Sequence, residues 1–136
     1  MSRFETKVTI RETHIDFFGH VNNATYMELF EEARWDLITQ NGYGIPQILE
    51  YKKGPVVLDC HIRFLKELKA RDEIIITVEH DLTPSKPSQK VFKLRQQMIN
   101  ALGEIACEAV YTYGLFDMQT RRLVEPTPEW RRAVGE

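Results

Sequence analysis

ATYMELFEEARWDLITQ, residues 24–40, decides the fold. Tyr26, Leu29, Phe30, Ala33 and Leu37 recur at the spacing that brings side chains onto one face of an α-helix, and Met27 and Ile38 widen that stripe. A helix this apolar expects cover on most of its sides. Its ends are also written in the chain. Asn22 or Asn23 offers a short side-chain oxygen to the first free backbone N–H groups, and Asn41-Gly42 supplies residues suited to the left-handed turn that closes a helix.

Around that helix the chain reads as strand. Upstream, Phe4, Thr6, Val8 and Ile10 alternate. Downstream, Val56, Leu58, Cys60, Ile62 and Phe64 alternate with Val57, Asp59, His61 and Arg63, the pattern of a half-buried strand. Ile74, Ile76, Val78 and Leu82 repeat it, and KVFKLRQQMIN, residues 90–100, sets Phe92, Leu94 and Met98 against Lys93, Arg95 and Gln97. EIACEAVYTYGLFD, residues 104–117, is rich in β-favouring Val, Tyr, Thr and Phe. Breakers separate these runs, and the link around Gly103 reads as a hairpin turn. A short helical piece, IPQILEYK, residues 45–52, precedes the second strand.

The order strand, long helix, then four antiparallel strands is an α+β arrangement. A sheet of about five strands wrapped around one central helix is the hotdog fold, and the sequence predicts it over a single domain, residues 1–136. A ferredoxin-like fold needs a second full-length helix between later strands, and the only candidate, PEWRRAVGE, stands at residues 128–136.

Composition excludes several functions. With 43% hydrophobic and 28% charged residues the chain is an ordinary folded one. Its net charge of −2, with both signs interspersed, gives no nucleic-acid footprint. No apolar run approaches the roughly 20 residues that span a bilayer, and MSRFETKVTI has no apolar signal core, so a cytoplasmic location without a membrane partner is expected. Cys60 and Cys107 lie in alternating apolar segments and read as buried thiols rather than a disulfide. No cysteine–histidine cluster suggests a metal site.

Residues 14–26, HIDFFGHVNNATY, are unlike any packing segment. A helix N-terminus presents free N–H groups and the positive end of the helix dipole, which polarise a carbonyl oxygen. Asp16 stands just upstream, and Gly19 between them permits a tight turn and close approach of a ligand to the main chain. A carboxylate beside such a terminus is half of a hydrolytic site. It attacks an ester-like carbonyl carbon itself, or it deprotonates a water that does so. The residue types also fit a loop in which Asp16 caps a turn and His20 bonds backbone.

The stretch THIDFFGHVNNATYMELFEEARWDLI, residues 13–38, closely resembles the opening motif of the 4-hydroxybenzoyl-CoA thioesterase family, in the acyl-CoA thioesterase branch of the hotdog superfamily. That motif runs D-x-x-G-H-V/M-N-N-x-x-Y and continues into a helix with E-x-A-R. Here it is met by Asp16, Gly19, His20, Val21, Asn22, Asn23, Tyr26, Glu32, Ala33 and Arg34. The resemblance runs on through residues 70–82, 103–117 and 120–130 and so covers nearly the whole chain.

What the resemblance implies is concrete. The catalytic carboxylate falls on Asp16, the carbonyl-polarising backbone N–H on Asn23, and the loop-shaping glycine on Gly19. His20 and Asn22 hold the loop or contact substrate, and Tyr26 lines the acyl pocket or packs. Glu31 and Glu32 read as helix-surface or subunit-contact groups. Such proteins join two sheets edge to edge into homodimers, and often into homotetramers, with active sites at the interface. Asp59 and His61 are then candidates to reach a partner's site. Lys86, Ser88 and Lys90 are candidates for the phosphates of coenzyme A, with Arg121-Arg122 a weaker one. Phe17 and Phe18 wall off the acyl group or, preferably, pack beneath the loop.

The expected activity is hydrolysis of an acyl-CoA in lipid metabolism, with no metal or cofactor beyond the substrate's own CoA. An acyl-carrier-protein thioester offers the same reacting group. A hotdog dehydratase lacks its histidine-proline-glycine segment here, and a non-catalytic acyl-CoA sensor would have no need of Asp16.

Overall fold

The computed structural model describes residues 3–83 and 90–136. In chain order the elements are β1 (Phe4–Thr9), α1 (Asn23–Gln40), α2 (Ile45–Tyr51), β2 (Lys53–Phe64), β3 (Glu73–Asp81), β4 (Phe92–Ile99), β5 (Ile105–Asp117), β6 (Arg122–Val124) and α3 (Pro128–Ala133). The strands pair antiparallel in the order β1-β3-β4-β5-β2. β6 adds to β5 just past the point where β4 ends its pairing. This curled sheet packs around α1, which is the hotdog arrangement, with a short sixth strand beyond the five expected.

The packing face of α1 is the stripe read from sequence. Thr25, Tyr26, Leu29, Phe30, Ala33, Leu37 and Ile38 are buried against Ile76, Val78, Leu94, Met98 and Tyr111 of the sheet. Met27 does not join them and is 46% exposed. Glu28, Glu31, Glu32 and Asp36 are exposed as well, so the sheet covers one side of the helix and not most of it. One polar residue enters this core. Gln96 is fully buried, accepts from Arg34 Nη1 at 2.9 Å and donates from Nε2 to the Phe30 carbonyl at 3.0 Å. Both ends of its amide are thereby satisfied.

β2 departs from the simple alternation. Its register against β5 shifts between Val57 and Asp59, so Leu58 is an extra residue without a partner. Directly opposed residues in an antiparallel pair share a face. Pro55 and Val57 therefore join Leu115 and Tyr113 on the inner face, while Cys60, Ile62 and Phe64 follow on that face after the bulge. The expectation that Val56 and Leu58 face inward is corrected by this bulge. Asp59 and His61 pair with Thr112 and Val110 on the sheet face turned away from α1.

The segment foreseen as a C-terminal helix is α3, whose start is capped by Thr127 accepting from the Trp130 N–H at 3.1 Å. Trp130 is 1% exposed and meets Tyr43 edge-on at 5.3 Å between ring centroids. It closes the end of the core opposite the start of α1.

Candidate active site

The loop before α1 is a small hairpin. Ile15 and Val21 form an antiparallel bridge, Asp16 N donates to His20 O at 2.9 Å, and Gly19 N donates to Asp16 O at 3.1 Å. Gly19 has φ +86°, a conformation that side chains resist. The Asp16 carboxylate turns back over this loop, where Oδ1 accepts from Phe18 N at 2.9 Å and His20 N at 3.4 Å. Asp16 does therefore cap a turn. Its other oxygen, Oδ2, takes none of these bonds, and the residue lines a cleft of about 550 Å³.

The start of α1 opens into the same cleft. Asn22 is the N-cap, yet its side chain makes no capping bond, which corrects the expectation of an asparagine oxygen over the first turn. Its main-chain oxygen takes the N–H groups of Thr25 and Tyr26 at 2.9 and 3.4 Å. Among the described residues no acceptor takes the N–H of Asn23 or Ala24. The first turn also holds no acidic residue. An uncapped helix start with unopposed dipole is a site prepared for a carbonyl oxygen or an anion. Asn23 lines the cleft with Asp16.

Tyr26 and Phe64 form the cleft's apolar wall, edge to face at 4.9 Å. Tyr26 is 4% exposed. Burial pushes its hydroxyl up to about 12, and Cys107, Asp16 and Glu67 nearby push the same way. The residue thus stays neutral beside Asp16. His20 also lines the cleft, its Nε2 3.3 Å from Glu67 Oε1. Phe17 and Phe18 do not pack beneath the loop. They stack on each other at 4.4 Å and are 92% and 72% exposed, because the turn at Asp16 directs its next two residues outward. Phe18 reaches the cleft.

The far wall comes from the β2–β3 connection: Leu65, Lys66 and Glu67. Leu68, fully buried, anchors it by accepting the Val21 N–H at 3.2 Å. Nothing in the spacing of LKEL pointed there, since the connection carries no motif and meets the Asp16 loop only through the fold.

The structure thus brings together Asp16, His20, Asn23 and Tyr26, with Gly19 and Asn22 shaping their loop. It does not bring the remaining candidates to them within one chain. Asp59 and His61 lie on the other sheet face. Lys90 is exposed just before β4, and the strand from Phe92 to Met98 puts about 20 Å between it and the level of Phe64. Lys86 and Ser88 lie outside the described residues. Glu31 and Glu32 are exposed on α1, as expected. Arg121 stacks over Phe116 at 5.0 Å in the exposed β5–β6 turn. Cys60 and Cys107 are free thiols, and burial pushes Cys107 up to about 12, so it is no nucleophile.

Comparison with known proteins adds to this geometry. The profile of the thioesterase-like superfamily matches residues 8–134. The long-chain acyl-CoA thioesterase FadM of Escherichia coli strain K12 is 26% identical over 134 residues, which cover 97% of this chain and 97% of that protein. Among solved structures, the probable thioesterase YbaW of Escherichia coli superposes with a TM-score of 0.79 at 25% identity, covering 96% of this chain and 95% of that one. Protein SAV2348 of Staphylococcus aureus, solved in complex with CoA, gives a TM-score of 0.84 over 98% of this chain and 82% of that one; at 17% identity this likeness speaks for the fold alone.

Proposed function

The chain belongs to the thioesterase-like superfamily, and from that footing we propose that it hydrolyses acyl-CoA thioesters to a free carboxylic acid and CoA. One observation carries the reading. The Asp16 carboxylate and the unengaged N–H of Asn23 line the same cleft. The N–H group and the helix dipole behind it stabilise the oxygen of the thioester carbonyl as negative charge develops on it. Asp16, held through Oδ1, turns its other oxygen to the carbonyl carbon or to a water beside it. On the general-base route the water oxygen forms the new C–O bond as the C–S bond breaks. On the nucleophilic route Asp16 forms it, and water then cleaves the mixed anhydride to the free acid and restores the carboxylate. On both routes the departing CoA sulfur takes up a proton that the water gives. Gly19 fixes the distance between the two groups, while His20, Asn22 and Tyr26 hold the loop and the pocket wall.

The names of the relatives support CoA as the carrier, and the motif from Asp16 to Tyr26 supports the finer assignment to the 4-hydroxybenzoyl-CoA thioesterase family. We place the reaction in one domain spanning residues 1–136 and in the cytosol, where two free thiols are at home. The working unit in this reading is a homodimer, or a tetramer built from two of them. β2 is a 12-residue edge strand whose Val57, Leu58 and Phe64 are 46%, 50% and 49% exposed. Such an edge invites a second copy. In the dimer Asp59, His61, Lys90 and the Lys86–Ser88 segment of one subunit serve the partner's substrate, the basic groups meeting the CoA phosphates.

The test follows thiol release from short, long and aromatic acyl-CoAs and from matching acyl-carrier-protein thioesters. Turnover of at least one acyl-CoA is expected. Release from the carrier-protein substrates alone moves the assignment to that substrate, and release from none overturns it.

A further inference from the structure

A second cavity lies along the same seam between α1 and β2, at the end away from Asp16. Its volume is about 230 Å³, and Arg34, Trp35, Val57, His80, Tyr113 and Trp130 line it, with Glu31 also on its wall. The bulge at Leu58 is what turns Val57 into it. Most of the lining is aromatic or aliphatic, so an apolar occupant fits. One feature does not suit a purely apolar occupant. His80 is 4% exposed, and its Nε2 is buried without a partner among the described residues.

The hydrogen-bond chain gives the basis for assigning that nitrogen. Trp130 Nε1, which only donates, points its N–H at the Tyr113 hydroxyl at 3.4 Å. Among the described residues His80 Nδ1, 2.8 Å away, is the acceptor that leaves the hydroxyl's own proton satisfied, and the tautomer is assigned on that ground. Burial, with the positive charge of Arg34 adding to it, pushes the ring down to about 3, so it is neutral at physiological pH. A neutral ring that accepts at Nδ1 carries its hydrogen on Nε2. The ring that lines the cavity therefore carries a buried N–H donor in want of an acceptor. Arg34 is already engaged, by Gln96 and by the Tyr111 ring at 4.4 Å, and Glu31, of opposite charge, stands on the same wall. A neutral oxygen suits this balance better than a carboxylate.

We propose that this cavity receives the far end of the acyl group and selects acyl chains that carry a hydroxyl, ether or keto oxygen there, read by the Nε2–H of His80. The inference rests on the thioesterase reading, because it needs the carbonyl carbon at the start of α1. From Asn23 to Arg34 the helix rises about 17 Å, the reach of a long acyl chain.

The test uses matched pairs from octanoyl-CoA to hexadecanoyl-CoA, each with its terminally hydroxylated counterpart. At the length that fills the seam, kcat/KM is expected to favour the hydroxylated member by roughly tenfold, as one net hydrogen bond allows, and His80→Leu brings that ratio to about one. A second readout needs neither turnover nor a variant. Trp35 and Trp130 are the only two tryptophans of the chain, and both line the cavity. Titrating the wild type with free hydroxylated and parent fatty acids should shift its tryptophan emission, with the hydroxylated acid acting at a lower concentration. Equal kcat/KM within every pair, with equal titration midpoints, overturns the proposal. Discrimination in fluorescence without hydrolysis of any acyl-CoA would leave the cavity assigned and remove the thioesterase reading.

Discussion

Acid acts on this fold through His80 first. The ring is 4% exposed, and burial, followed by the charge of Arg34, lowers its pKa from 6.5 to about 3. In the unfolded chain the ring takes its proton near 6.5; in the folded chain it resists until about 3. Stability from the neutral ring is therefore fully present above pH 6.5 and is lost as pH falls through the interval down to about 3. The loss runs at about 1.4 kcal/mol per pH unit. Between pH 6.5 and pH 5 it amounts to about 2 kcal/mol, a sizeable part of the stability of a domain. Urea unfolding at pH 7.5 and pH 5, at one protein concentration, measures it in the wild type and in His80→Leu. Wild type should lose about 2 kcal/mol more than the variant between the two pH values. Asp81 and Asp117 do not blur the comparison. Backbone N–H groups of Thr83, and of Thr120 and Gln119, hold these carboxyls below their ordinary 3.8. Their contribution is lost only as pH falls through that lower range. Equal losses in wild type and variant would refute the reasoning, since His80 would then not be the group that takes up the proton.

Three further outcomes follow from the same structure. Gly114→Ala places a Cβ 2.9 Å from the Lys90 carbonyl oxygen and 2.8 Å from Leu123 Cδ2, and should cost about 1–3 kcal/mol in chemical unfolding. Gly19→Ala forces a side chain into φ +86° at about 1–2 kcal/mol. Because that loop carries Asp16, thiol release should show kcat falling more than KM rises. Lys90→Ala should raise KM for an acyl-CoA, more so at low salt, and leave kcat and the hydrolysis of an acyl-pantetheine unchanged.

The parts of this protein that follow a period were legible in its sequence. Tyr26, Leu29, Phe30, Ala33 and Leu37 gave the buried face of α1, and alternation gave β3 and β4, because burial on one face imposes those spacings; β5 was legible from its β-favouring residues. Asp16, Gly19 and Asn23 were legible for a different reason: they are near neighbours in the chain, so one short motif holds the loop and the helix start. What was not legible depends on contacts between distant segments. The bulge at Leu58 has no local signal, yet it decides whether Val56 or Val57 faces α1. Gln96 shares the inward register of Phe92, Leu94 and Met98, but what satisfies its amide emerges only when Arg34 and the Phe30 carbonyl are placed beside it. Leu65, Lys66 and Glu67 become a wall of the cleft only because Leu68 is tied to Val21. The alternation of Ile74, Ile76 and Val78 turns His80 inward, but only the packing of Trp130 and Tyr113 makes it a buried donor.

In the proposed reaction the free oxygen of Asp16 and the open N–H of Asn23 act on one thioester carbonyl. Steady-state thiol release by wild type and by Asp16→Asn tests it most directly, with an acyl-CoA that the wild type turns over. The amide keeps the side chain's shape but neither attacks a carbonyl nor takes a proton. In that variant kcat is expected to fall by about a hundredfold to ten-thousandfold, with KM within a few-fold and the assembly state unchanged. An Asp16→Asn protein that releases thiol at the wild-type rate would contradict it.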